Sequence, residues 1–194
     1  MLQMDDYNPS AKAYWWITAI LGAIVLVLAL RSALALPAVA IAQVVVGIAL
    51  AGLAGGFPYR IAGGKTSVSA AETVIFLALM MNGPAAAALA AAAEGAVGSY
   101  KTSTRATSRL GTPAMAGLAM YASGTLYTLA LRQFTPGDAA PSLLLQLAFL
   151  LPLALLYFAA GTLLMASLFT LKKGLPLQPW TILRSHSWMA LVYL

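Results

Sequence analysis

The sequence predicts an all-α, polytopic transmembrane bundle of about six helices, and three observations predict it. Of 194 residues, 61% are hydrophobic and only 8% charged, with a mean hydropathy of +0.87. That is more apolar surface than a water-soluble domain of this length can bury in itself, so lipid must solvate the rest. The apolar residues fall into runs long enough to cross hydrocarbon, and basic residues gather in alternate connections between the runs. Residues 1–194 read as one integral membrane domain.

The first run, Ala13 to Leu30, opens on Tyr14, Trp15 and Trp16, aromatics that favour the headgroup boundary, and closes at Arg31. At 1.5 Å per residue it reaches roughly 27 Å, close to the hydrocarbon thickness. Pro37 suits a first helical turn and introduces a second span, Ala38 to Ala54. A polar loop follows, in which Tyr59, Ile61 and Val68 flank Gly63-Gly64 as a short hairpin would. Ser69 and Glu72 have the spacing of a capping box, so a helix begins near Ala70.

That helix meets a stop-and-restart signal at Asn82-Gly83-Pro84, glycine past one helix end and proline opening the next. About thirteen residues reach only roughly 20 Å, short for a crossing. The two pieces around Gly83 and Pro84, the second alanine-rich and running to Tyr100, form either a re-entrant hairpin or two tilted spans packed through small residues. Gly83 and Pro84 are the expected hinge. Lys101, Arg105 and Arg109, four apart, form a basic cytoplasmic surface facing lipid headgroups. Pro113 to Leu131 is a further span, Ser142 to Leu171 one long helix interrupted by Pro152, and Trp180 to Leu194 a final segment, amphipathic and then apolar. The chain stops inside an apolar run, as a fragment of a longer polypeptide would.

With the N-terminus inside, Lys12, Arg60, Lys65, Lys101, Arg105, Arg109, Lys172, Lys173 and Arg184 fall on the cytoplasmic side and only Arg31 and Arg132 outside. This bias predicts a multi-pass membrane protein with a cytoplasmic N-terminus. The net charge of +6 is thereby explained by topology, and its scatter between apolar runs argues against a nucleic-acid partner.

Few residues invite chemistry. There is no cysteine and one histidine, which leaves no thiolate or multi-histidine metal centre and no cofactor to expect. Asp5, Asp6 and Asp138 lie in terminal or loop segments, so no catalytic triad forms around them, and Gly63 to Ser67 lacks the spacing of a phosphate loop. Glu94 is the first candidate for binding a ligand, proton or cation. It sits in an alanine-rich helix about 10 Å from Lys101, where a carboxylate must be paired, protonated or wet; pairing with Arg60 or Lys65 is the plainer alternative. Glu72 is the second, although the capping box already accounts for it. His186, beside Arg184, is the one side chain with an ordinary titration near neutral pH, but interfacial placement explains it more simply. Tyr121, Tyr127 and Tyr157 with Gln146 have the makings of a ligand pocket, yet they, like Ser123, Thr125 and Thr128, are more simply explained by packing and interhelical hydrogen bonds. Ala19, Gly22 and Ala23 give the first helix a small-residue face for a protein partner or a second copy.

The stretch from Phe57 to Lys101 resembles the N-terminal multispanning domains of bacterial signalling proteins whose cytoplasmic parts are diguanylate cyclases or HD-GYP phosphodiesterases. The shared order is a polar hairpin at Gly63 and Gly64, Ser69 and Glu72 at a helix start, Val74 to Met81, Gly83-Pro84, a small-residue helix from Ala85 to Gly98, and a basic loop from Lys101 to Arg109. LLMASLFTLKKGLPLQPW is similar to the tail of the same domains; Gly161, two residues ahead of it, departs from the pattern by standing near where an asparagine is expected. The resemblance implies a sensory module of the bacterial inner membrane with no catalytic site of its own. A second resemblance, to the substrate-binding subunits of energy-coupling-factor vitamin transporters, implies a small-molecule-binding subunit; a noncatalytic accessory subunit of a larger membrane complex is the third expectation.

Overall fold

A computed structural model of the chain describes residues 4–57, 59–60, 67–68, 71–135 and 141–175. The expected capping serine, Ser69, and the segment from Trp180 to Leu194 lie outside them. The described residues form five helices and one two-residue antiparallel ladder: α1 Pro9–Leu34, α2 Ala38–Gly55, β1 Tyr59–Arg60, β2 Ser67–Val68, α3 Ala71–Thr102, α4 Ala106–Phe134 and α5 Leu143–Lys172. By length and composition α1, α2, α4 and α5 can each cross a membrane in one pass, and α3 is apolar enough and long enough only when its two pieces are taken together, so the chain is a multi-pass helical bundle in contact with lipid.

Local chemistry sets the ends. Asn8 caps α1, its Oδ1 accepting the Ala11 N–H at 2.8 Å, and Pro9 fills the first turn where no N–H is needed. This start lies four residues ahead of the apolar run, because the cap rather than hydropathy decides it. Ser142 caps α5 in the same way, accepting from the Leu145 N–H. The ladder pairs Tyr59 with Val68 and Arg60 with Ser67, the hairpin expected around Gly63-Gly64. α5 continues through Pro152 as one helix.

Two expectations need correction. The first is the count of about six helices: among the described residues there are five, because the two pieces around Asn82-Gly83-Pro84 are interrupted only at Gly83, at φ 80° and ψ −176°, and count together as α3. Pro84 needs no N–H partner at a helix start, so the helix resumes at once. The second is the start of α4, which begins at Ala106 rather than Pro113, placing the proline inside the helix.

The course of α3 follows from what its two arms touch. Gly47 of α2 faces Ala78, and Gly52 of α2 faces Val97. The two glycines are roughly 7 Å apart along α2, whereas Ala78 and Val97 would be roughly 28 Å apart on an unbroken helix. The chain must therefore reverse at Gly83, and α3 is a helical hairpin. Both arms rest on α4, since a Cβ on Gly124 would meet Leu79 from one arm and Pro84 from the other. Alanines make the close approach possible: Ala86, Ala87, Ala88, Ala90 and Ala91 are buried, with Ile75, Leu79 and Met120 filling the space beside them. Large aliphatic side chains instead point outward from α1, α2 and α5, as a lipid-facing rim requires.

The small-residue face of α1 is partly consumed within the chain. Gly22 is buried against the Ala114 backbone of α4, while Ala23 remains exposed.

Candidate functional site

The densest polar arrangement among the described residues lies at the end of the bundle where α1 and α4 begin and α5 finishes. Asp6, ahead of α1, accepts from Arg105 at 2.5 Å and from Lys172 at 2.8 Å. Arg105 is the N-cap residue of α4 and Lys172 the last residue of α5, so one carboxylate joins three elements. Lys172 also stands over the Tyr7 ring, 4.2 Å from its centroid. Hydrogen bonds from Lys172 and then Arg105 hold the Asp6 carboxyl at about 2, below the usual 3.8.

Beneath this clamp lies a cleft of ≈ 210 Å³ whose floor is Trp15, Thr107, Met115, Met165 and Leu168. Trp15 fixes one wall by donating its indole N–H to the Thr107 carbonyl at 3.1 Å. It can lie there because Gly111 has no side chain: a Cβ would stand 2.7 Å from the indole nitrogen. Two more bonds tie α1 to α5, Asn8 Nδ2 donating to the Leu171 carbonyl at 2.5 Å and the Tyr14 hydroxyl to the Leu164 carbonyl at 3.0 Å. Cations at the mouth and a sulfur- and indole-lined interior make the cleft amphipathic.

A depressed carboxyl pKa has a definite sign. The favourable contribution of the Asp6 contacts is complete above about pH 4 and disappears as pH falls through about 2. A carbon-13 titration of the Asp6 carboxyl should give a midpoint near 2, and Lys172→Gln should move it upward; a midpoint unmoved by that substitution would mean that the lysine contact does not hold in solution.

The expected basic surface is present but already engaged. Lys101 donates to the Gly56 carbonyl and lies 4.9 Å from the centre of the Phe57 ring. Arg109 donates to the Ser103 carbonyl at 2.9 Å and covers the Tyr100 ring at 4.2 Å. With Arg105 on Asp6, each of the three has a partner within the protein, so they pin the connections between helices as well as facing outward.

Glu72 and Glu94 are both half-buried, and neither is free of partners. The reversal relates them: each lies eleven residues from Gly83, so they stand level on the two antiparallel arms at the open end of the hairpin. Glu94 is pressed against α2, where a Cβ on Gly55 would come within 2.7 Å of the Glu94 carbonyl oxygen. Gly83 and Pro84 sit at the closed end, and no atom lies within 4 Å of the position a Gly83 Cβ would take.

Asp6, Tyr7, Asn8 and Lys172 were not singled out from the sequence. The available signal was compositional: one of only five acidic residues stands just ahead of a helix whose end of the bundle is otherwise cationic. Comparison with known protein families, with curated proteins and with solved structures returns no match.

Proposed function

We propose that this chain is a membrane-embedded sensory module of a bacterial signalling protein, without a catalytic site of its own. It sits in the inner membrane with its N-terminus and the end of α5 in the cytoplasm, as the distribution of basic residues favours. The observation that carries the reading is the Asp6 clamp. One exposed carboxylate couples the N-terminal segment, the start of α4 and the end of α5, so a rearrangement that separates α4 from α5 breaks it and alters how α5 leaves the bundle. The resemblance of the Phe57 to Lys101 stretch to the sensory domains of diguanylate cyclase and HD-GYP proteins supports the same role. The fold-back at Gly83 supplies a packing element with room to move, and Glu94 and Glu72 at its open end are candidates for responding to a proton or cation.

The test is made on the intact protein in its native membrane. Asp6→Asn and Lys172→Gln should each shift basal cyclic-dinucleotide output in the same direction while leaving expression unchanged. Unaltered output in both variants, or purification in stoichiometric association with ATPase subunits, would contradict the signalling role; the second result would favour a transporter subunit.

A further inference from the structure

Ser123 is 1% exposed, and its hydroxyl has no hydrogen-bond partner among the described residues. Its neighbours behave differently. Thr125 donates to the Tyr121 carbonyl at 2.7 Å and Thr128 to the Thr125 carbonyl at 2.9 Å, closing their hydroxyls on their own helix. A buried hydroxyl left without a partner is unfavourable, so its position calls for an explanation. Ser123 lines a cleft of ≈ 220 Å³ between α4 and α5, walled by Leu126, Ala130, Phe149, Leu153 and Leu156. Leu126 and Leu156 are themselves exposed on the outer face of the bundle, so the cleft opens toward lipid. Tyr127 also borders it, but its hydroxyl is committed to the Gln146 carbonyl at 3.2 Å.

We infer that this cleft binds an apolar molecule carrying a single hydroxyl, the hydroxyl meeting Ser123. No charged side chain borders the cleft, and desolvation disfavours an ion there. Size is compatible with the buried part of such a ligand: by proportion to the cavity of about 150 Å³ that admits one benzene, the space takes on the order of ten non-hydrogen atoms. A long-chain alcohol fits, with its hydroxyl at Ser123 and the end of its chain returning to lipid between Leu126 and Leu156. The inference is independent of the signalling role, because binding is read on the purified chain without any output.

The experiment uses two diazirine photolabels on the full chain in lipid nanodiscs, a ten-carbon alcohol and the alkane of the same length. The alcohol should leave adducts on the α4 and α5 peptides that contain residues 126–130 and 149–156. Ser123→Ala should reduce alcohol adducts roughly fivefold, the factor for one net hydrogen bond, with alkane adducts unchanged. Ala130→Phe should fill the space and abolish both. Adducts distributed evenly over the exposed leucines of α1 and α2, or an alcohol signal indifferent to Ser123→Ala, would overturn the assignment. Ser123→Ala should also melt no lower than the parent protein in detergent, which separates loss of binding from loss of fold.

Discussion

Gly83→Ala is expected to destabilise the protein by about 1–3 kcal/mol, since its backbone conformation is one that essentially only glycine adopts. At φ 80° and ψ −176° a Cβ meets its own backbone, and with nothing else within 4 Å of that position the penalty owes nothing to crowding. The sign of the change is the informative part. Were α3 straight, alanine would replace glycine inside a helix and stabilise it by up to about 1 kcal/mol. Unfolding in mixed micelles, followed by helical circular dichroism, distinguishes a loss from a gain.

The second large effect is expected at Gly22. A Cβ there would lie 2.5 Å from the Ala114 carbonyl oxygen and 2.7 Å from the carbonyl carbon, and main-chain atoms cannot turn aside as a side chain can. Gly22→Ala must push α1 away from α4, with a loss of about 1–3 kcal/mol. Gly22→Leu should prevent the two helices from packing at all. The separation also pulls Trp15 from the Thr107 carbonyl, so the indole fluorescence should report a wetter environment together with the lost stability. Gly161→Ala is the matched control, because nothing lies within 4 Å of its Cβ position and α5 is helical there; it should be neutral or slightly stabilising. Equal behaviour at Gly22 and Gly161 would contradict the packing described for α1.

The contrast between these glycines shows what a sequence can and cannot convey here. Length and hydropathy suffice for α1, α2 and α5, because a lipid-spanning helix is selected by how many apolar residues follow one another. Gly83-Pro84 announces a stop and a restart, and the reversal found there is the one that a re-entrant hairpin or two packed spans both require. Which residues of the two arms then stand level, as Glu72 and Glu94 do, depends on the backbone angles of the turn and on packing against α2 and α4, which no local pattern reports. Hydropathy alone places the start of the fourth span at Pro113, after the polar segment. The preceding turns of α4 are held by the local Arg109 contact with Ser103 and by the tertiary Trp15 contact with Thr107, neither of which hydropathy reports. Asp6 reads in sequence as a residue of a polar terminus; its partners lie 99 and 166 positions away, beyond the reach of any local pattern.

The fold-back of α3 is the claim on which the shared level of the two glutamates and the hinge both depend. The absence of native cysteine allows it to be measured directly by introducing two pairs, Gly47→Cys with Ala78→Cys and, separately, Gly52→Cys with Val97→Cys. The Gly47 and Ala78 pair stands at a Cβ spacing of 3.8 Å, within the range a disulfide needs, and Val97 comes within 3.6 Å of the position a Gly52 Cβ would occupy. Oxidation in membranes, with a short bifunctional reagent as a second route, should cross-link both pairs in high yield. Cross-linking of one pair and not the other is what a straight α3 would give, and it would contradict the hairpin.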